Sequence, residues 1–185
     1  MWPSAQVISQ LPVTAIDYVP RMPDPARAES DPKVLRVIEA GRSRGIKVRP
    51  VSFKEQTRTA ADAARQVGCD VGQIVKSLVF MADHRPVLLL VSGANRVDLS
   101  KAATATGVDH LDKADADAAR AASGFSIGAT PPFGHTTDIP VLMDVDLLAH
   151  DEVWAAGGRP DTVFPVSPEE LRRATGAPTV DLRQA

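Results

Sequence analysis

The chain has 185 residues, of which 44% are hydrophobic and 24% are charged, values typical of one soluble globular domain. A net charge of -2 argues against a long phosphate-tracking surface, and an aromatic share of 4% argues against a broad stacking platform for single-stranded nucleic acid. Neither value excludes a grip on a short nucleic-acid end. The single cysteine, Cys69, excludes an internal disulfide and fits a reducing compartment.

The N-terminal part of the chain differs in composition from the rest. Residues 1–32 contain six prolines and no helical period, which predicts an extended arm ahead of one domain at residues 33–185. The opening MWPSAQVISQ lacks the charged and apolar regions of a signal peptide. The longest aliphatic run, Val87–Val91, is too short to span a bilayer. We therefore expect a cytoplasmic protein without a membrane partner.

Helices are predicted where a capping residue precedes an apolar run and a glycine follows it. This pattern predicts five helices, which begin after Asp31, after Thr59, after Asp98, at Lys113–Ala122 and after Ser167, and which end at Gly45, Gly68, Gly107, Gly124 and Gly176.

Strands are predicted for the short apolar or β-branched runs between these helices. The runs are Ile46–Phe53, Lys76–Ala82, Pro86–Ser92, Phe125–Ile127, Ile139–Met143, Val153–Ala155 and Thr162–Val166. The second and third flank Asp-His-Arg and predict a hairpin, whereas Pro50 bends the first strand or confines it to an edge. Strands in pairs with helices between them predict a single-domain α/β fold of the α+β type, a mixed, mainly antiparallel sheet flanked by helices.

The stretch GQIVKSLVF places Lys76 inside an apolar run. In a strand, Lys76 shares a face with Ile74, Leu78 and Phe80, where an ammonium is costly unless it reaches water or a negative partner. Two interpretations stay open. Lys76 is either a sheet-edge lysine whose stem packs while its tip reaches solvent, or a functional cation beside a cleft.

A second unusual stretch is GFSIGATPPFGH, residues 124–135. Its prolines stiffen the backbone, and its glycines allow sharp turns or close approach of a ligand. Such a loop can direct backbone N–H groups at an anionic or carbonyl oxygen. The alternative is a rigid turn between two strands.

Other known chemistries lack their motifs in this chain. The four histidines are scattered without metal-ligand spacing, and the presence of only one cysteine argues against a structural zinc site. No Walker loop, dinucleotide-binding glycine motif or nucleophile elbow occurs. We therefore predict neither a metal nor another cofactor.

The two stretches, together with VDLSKAATATG between them, resemble the YbaK/ProX family of free-standing aminoacyl-tRNA deacylases, which is related to the editing insertion of bacterial prolyl-tRNA synthetases. The resemblance covers about Pro32 to Gly176. It implies hydrolysis of a mischarged aminoacyl-tRNA in trans, with a small amino acid such as alanine or cysteine. It also implies the 3′ acceptor end of aminoacyl-tRNA as the main partner and an aminoacyl-tRNA synthetase as a further one.

The same resemblance assigns roles to individual residues. Lys76 falls on the required lysine of the family, which implies that it stabilises the oxyanion or a phosphate. Pro131 stands where relatives have a small polar residue, and Phe53 stands where some have tyrosine. The substrate-binding residues expected from the resemblance are Gly128, Ala129, Thr130, Pro132, Gly134, Phe53, Gly157 and Gly158.

Contact with RNA is expected to be modest. Arg96, Lys101, His135 and Arg159 are candidates for a basic rim around the cleft, although each is equally explained as a solvated surface residue. The alternative function belongs to another class, a non-catalytic regulatory module that binds a nucleotide or an RNA end on the same fold.

Overall fold

The computed structural model of the protein describes residues 30–53 and 57–185. The predicted arm, residues 1–32, lies outside this part of the chain except for its last three residues. Five α-helices are present in the described residues: α1 Pro32–Ser43, α2 Ala60–Val67, α3 Leu99–Thr106, α4 Ala116–Ser123 and α5 Pro168–Thr175. Two 3₁₀ turns, Val71–Gln73 and Val145–Ala149, connect other elements.

Eight strands form two sheets within the same residues. The strands are β1 Val51–Ser52, β2 Val75–Ala82, β3 Arg85–Ser92, β4 Asp112–Lys113, β5 Val141–Asp144, β6 Val153–Ala156, β7 Thr162–Val166 and β8 Thr179–Val180. One sheet has the order β4-β2-β3-β5-β8 and the other β1-β7-β6. Only the β3–β5 and β5–β8 pairs are parallel, so the predicted mixed and mainly antiparallel fold is confirmed.

The helix boundaries follow the local signals that the sequence carries. The Asp31 carboxylate accepts from the N–H of Lys33 at 2.8 Å, and Thr59 with Asp62 forms a reciprocal capping box. The side chains of Asp98 and Ser167 cap α3 and α5 by accepting from backbone N–H groups two or three residues later. Because such contacts join residues two or three positions apart, the sequence predicts them well.

The β2–β3 hairpin is confirmed and lies at the centre of the larger sheet. Its two-residue loop is Asp83–His84, and both residues have positive φ, 48° and 65°. This geometry is that of a type I′ turn, whose twist matches the flanking strands. The register pairs Lys76 with Val91, so the lysine lies on the face of the sheet that carries Val91.

The larger sheet is buried on both faces. One face packs Val79 and Leu90 against a core that includes Phe164 of the smaller sheet. On the other face, Leu89 of β3 belongs to a second core cluster with Ala102 of α3. The two sheets also approach each other at the start of β2, where Ile74 forms an isolated parallel bridge with Trp154.

Three predicted elements were wrong or displaced. The predicted strand Phe125–Ile127 is a turn, because Gly124 turns the chain with φ 80° and the N–H of Ala129 closes onto the carbonyl of Ser126 at 3.0 Å. The predicted strand Ile46–Phe53 pairs only over Val51–Ser52, beyond the proline that cannot donate.

The predicted helix Lys113–Ala122 begins three residues later, at Ala116, with Asp115 as its cap. Asp112–Lys113 instead pair with β2. Strand β8 was not predicted at all, because it exists only through its parallel pairing with Met143 and Asp144.

Candidate active site

A cavity of about 480 Å³ lies along one edge of β2. Strand β3 pairs with the whole of β2, whereas β4 pairs only with Phe80 and Met81 on the other side. The edge at residues 75–78 therefore has no partner strand in either described segment, and the consecutive residues Ile74–Phe80 all line the cavity. The remaining walls are the start of α2, the loop after α4 and the β6–β7 hairpin.

Small and apolar side chains form much of the cavity wall. The alanines at the wall are Ala60, Ala63, Ala114, Ala119 and Ala156. A cavity of this volume is within the range of small-molecule sites, about 300–1,000 Å³.

Lys76 is half-buried at this wall, and its Nζ donates to the backbone carbonyl of Asn95. Burial lowers the pKa of Lys76 because it disfavours the charged form, while the carboxylate of Asp144 acts in the opposite direction. An ammonium has three N–H donors. The contact with Asn95 uses one of them, which leaves two for a ligand in the cavity.

The predicted substrate loop is divided between two sides. Gly128 and Thr130 line the cavity. Gly128 has φ 82°, and a Cβ at this position would have no protein atom within 4 Å, so the glycine faces open space. Ala129 is fully buried behind these two residues, and its N–H is used within the turn. The N–H groups of Gly128 and Thr130 have no hydrogen-bond partner in the described part of the chain.

Pro132 and Gly134 do not line this cavity. They border a second, more open hollow of about 730 Å³ on the other side of the loop, with Arg36, Arg44 and His135. The Nε2 of His135 is 2.8 Å from the carbonyl oxygen of Pro131, and burial lowers the pKa of His135. The structure thus separates residues that the sequence places in one motif.

Three other predicted substrate-binding residues lie behind the cavity wall. Phe53 is 6% exposed, and its N–H donates to the carbonyl of Asp161 at 2.7 Å. Gly157 donates to the carbonyl of Thr162, and a Cβ on Gly158 would lie 3.0 Å from the carbonyl of Lys33. These residues support the hairpin that carries Ala156, but they do not themselves line the cavity.

The four candidate RNA-binding residues do not form one rim. Arg159 lines the cavity, but its guanidinium contacts Asp161 at 2.9 Å and Asp31 at 2.7 Å. The hydrogen bonds that the guanidinium donates to these two carboxylates raise the pKa of Arg159. Lys101 on α3 pairs with Asp181 at 2.7 Å, and Arg96 is exposed on the loop before that helix. Their proposed contact with RNA stays a prediction.

Sequence reasoning missed Ser77, which lies between Lys76 and Leu78. Its Oγ is buried and has no hydrogen-bond partner among the described residues. Ser77 lines the cavity, and in the strand it shares a face with Val75 and Val79. The two-residue period of a strand could have identified it, because it is the one polar side chain on that apolar face of β2.

The charged groups around the cavity do not resemble a metal site. Within residues 30–53 and 57–185, no group of three or more histidine, cysteine, aspartate or glutamate side chains could hold a metal ion. In the same segments no helix is long and apolar enough to cross a membrane.

The fold and the cavity define a class of protein, a small α/β domain with a ligand cavity between a strand lysine and a glycine-proline loop. A family model described as the aminoacyl-tRNA editing domain matches residues 54–174. The chain belongs to this family, and the resemblance seen in its motifs is confirmed. The domain is accordingly an enzyme of the aminoacyl-tRNA deacylase class.

Solved and curated proteins agree with this assignment. A crystal structure described as a candidate trans-editing enzyme for prolyl tRNA synthetase is 46% identical, with a TM-score of 0.79, over 84% of this chain and 99% of that one. The proline–tRNA ligase of Streptococcus equi subsp. equi (strain 4047) is 36% identical over 72 residues, 39% of this chain and 12% of the ligase. The uncharacterized protein YwhH of Bacillus subtilis (strain 168) is 28% identical over 120 residues, 64% of this chain and 76% of that protein.

Proposed function

We propose that the protein hydrolyses in trans the ester bond of a mischarged aminoacyl-tRNA that carries a small amino acid such as alanine or cysteine. The observation that carries the proposal is the presence of Lys76 and Gly128 at the wall of one cavity of about 480 Å³. The 3′ acceptor end enters this cavity with its aminoacyl group. The products are the free amino acid and the intact tRNA.

The chemistry needs few protein groups, because an aminoacyl ester is already activated. Water attacks the carbonyl carbon, and the developing oxyanion requires donors held in advance at the right place. The ammonium of Lys76 and the N–H groups of Gly128 and Thr130 border the same cavity and supply such donors. Alternatively, Lys76 neutralises the terminal phosphate as a compact cation.

The wall of the cavity supports a small amino acid as substrate. Five alanines line it, and their short side chains suit a small aminoacyl group. Selection by size alone is weak, since one methylene is worth roughly 1–3 kcal/mol in such a pocket.

The relatives support a choice of tRNA. Similarity to proline–tRNA ligases and to the solved trans-editing candidate supports tRNA that prolyl-tRNA synthetase has mischarged. The synthetase is then the partner that supplies the substrate.

The test is a panel of tRNAs charged with alanine, cysteine, serine or proline, each on a proline acceptor and on its own cognate tRNA. We expect fastest release of alanine or cysteine from the proline acceptor, while correctly charged prolyl-tRNA is spared. A rate equal to spontaneous hydrolysis for every member of the panel would contradict the proposal. Tight binding without release would favour the regulatory module instead.

A further inference from the structure

Three side chains on neighbouring strands form a row across the larger sheet: Lys76 on β2, Val91 on β3 and Asp144 on β5. Lys76 pairs with Val91 in register, and the β3–β5 pairing that ends at Leu90 and Met143 places Asp144 beside Val91. Leu142, two residues before Asp144, packs in the same cluster as Val91. The carboxylate of Asp144 therefore lies on the same face of the sheet as the ammonium of Lys76, two strands away.

Asn95 spans the gap between the two charged groups. Its backbone carbonyl accepts from Nζ of Lys76, and its side-chain Nδ2 donates to Asp144 Oδ2 and Asp146 Oδ2, both at 2.8 Å. Asn95 is 8% exposed and Asp144 is fully buried. One residue thus contacts the lysine through its backbone and the carboxylates through its side chain.

The carboxylate of Asp144 accepts hydrogen bonds from three donors. Its oxygens accept from the N–H of Ser92 at 3.2 Å and the N–H of Asp146 at 3.3 Å, in addition to the Asn95 amide. A buried carboxylate is costly unless such donors satisfy it, so its presence calls for an explanation. Arg183 pairs with the more exposed Asp146 at 3.4 Å, whereas Asp144 is fully buried on the strand two away from that of Lys76.

We infer that Asn95 and Asp144 are positioning residues for Lys76, which fix its ammonium at the cavity wall and keep it charged with two N–H donors directed to the ligand. The inference deepens the proposed function and rests on it, since Lys76 is taken as the group that contacts the substrate. Without the Asn95 carbonyl the four-carbon side chain samples several rotamers, and a displacement of about 1 Å can cost on the order of 10²-fold in rate.

The electrostatic part has a definite sign. Burial already lowers the pKa of Lys76, and the carboxylate of Asp144 limits that decrease. The other cations at the cavity wall are Arg58, Lys113 and Arg159. Removing the charge of Asp144 therefore lowers the pKa of Lys76 further, and the charged form is lost at a lower pH.

The first test compares Asp144→Asn with the matched control Asp181→Asn. Asp181 is an exposed aspartate that pairs with Lys101. We expect kcat to fall on the order of 10²-fold with a smaller change in KM, and the alkaline limb of the rate profile to move to lower pH. The control Asp181→Asn should keep the rate and the pH profile of the unaltered protein. An unchanged rate and pH profile in folded Asp144→Asn would overturn the inference.

A double variant separates positioning from a general structural role. If Asp144 acts through Lys76, Asp144→Asn adds no further loss to the residual rate of Lys76→Ala. An additive loss would contradict the inference. Asn95→Ala provides a second route if Asp144→Asn unfolds, because it removes the side-chain amide that ties residue 95, whose backbone carbonyl contacts Lys76, to Asp144, while that carbonyl and the carboxylate are both kept. We expect a loss of kcat in the same direction.

A third readout does not depend on activity. In protein labelled with ¹³C-lysine, the Lys76 signal is assigned by its absence from Lys76→Ala, and its titration is followed by NMR. We expect its midpoint to move to lower pH in Asp144→Asn and to stay in place in Asp181→Asn. If no ester is hydrolysed but this shift occurs, the proposed function fails and the positioning stands; an unmoved midpoint overturns the positioning.

Discussion

Lys76 and Arg159 are both cations at the wall of the same cavity, and they differ in what holds them. Arg159 is bound by two carboxylates, those of Asp31 and Asp161, which together accept three hydrogen bonds from its guanidinium. Lys76 contacts one neutral carbonyl, and its nearest carboxylate support comes indirectly through Asn95. A charge beside a cavity is available to a ligand only where the protein has not already neutralised it. We therefore expect Lys76 to act in catalysis and Arg159 to act in stability.

The largest effect is expected for Lys76→Ala. The loss of one preorganised donor to an oxyanion typically costs about 10²–10³ in kcat. Stability should change by no more than about 1 kcal/mol, because Lys76 is only half-buried and its contact is with one carbonyl.

The matched control is Lys113→Ala, since Lys113 is exposed but lines the same cavity. The two variants are compared by single-turnover hydrolysis and by thermal unfolding. Equal rates in Lys76→Ala and in the unaltered protein would remove the distinction between Lys76 and its neighbours.

A smaller loss of rate, on the order of 10-fold to 10²-fold, is expected for Gly128→Val, because the new side chain projects from the loop into space that a ligand needs. Gly45→Val is the matched control. Its φ of 76° is close to the 82° of Gly128, and a Cβ at either glycine has no protein atom within 4 Å, so both variants have similar backbone strain.

Rate constants and denaturant unfolding of the two glycine variants distinguish obstruction from strain. We expect similar destabilisation in both and slow hydrolysis only in Gly128→Val. If the two variants hydrolyse at the same rate, the loop at Gly128 is a turn and nothing more.

For Arg159→Ala we expect a loss of stability with little loss of hydrolysis rate. This change leaves the carboxylate of Asp161, which is 7% exposed, without its main partner, and an unsatisfied buried group costs about 1–3 kcal/mol. The rate of the remaining folded protein should stay within about threefold of the unaltered protein. Chemical denaturation measures the loss of stability, and hydrolysis assays well below the unfolding temperature measure the rate of the folded protein. A large loss of rate at full stability would show that Arg159 contacts the substrate.

The smallest effect is a change in acid stability. Hydrogen bonds from Arg159 lower the pKa of Asp161. A carboxyl with a lowered pKa in the folded state stabilises the fold above its unfolded pKa of about 3.9, and this contribution is lost as the pH falls through the folded pKa. The stability difference between the unaltered protein and Arg159→Ala should therefore shrink below about pH 4. Denaturation curves at several pH values test this, and a constant difference would contradict it.

The sequence by itself determined the local structure of this protein. The caps at Asp31, Thr59, Asp98 and Ser167 and the hairpin turn at Asp83–His84 depend on residues a few positions apart, so their signals are legible in the chain. The period of two in β2 also placed Lys76 on an apolar face, and its motif indicated the family. These features determine the class of fold and the class of enzyme.

Only the tertiary structure decided which residues meet at the cavity. It placed Gly128 and Thr130 at the wall and Pro132 and Gly134 at another hollow, because the turn at Ser126 directs successive loop residues to opposite sides. It also created the contacts among Lys76, Asn95 and Asp144, which lie 19 and 49 positions apart along the chain. No local pattern marks such pairs, since they form only when β2, β3 and β5 align in one sheet.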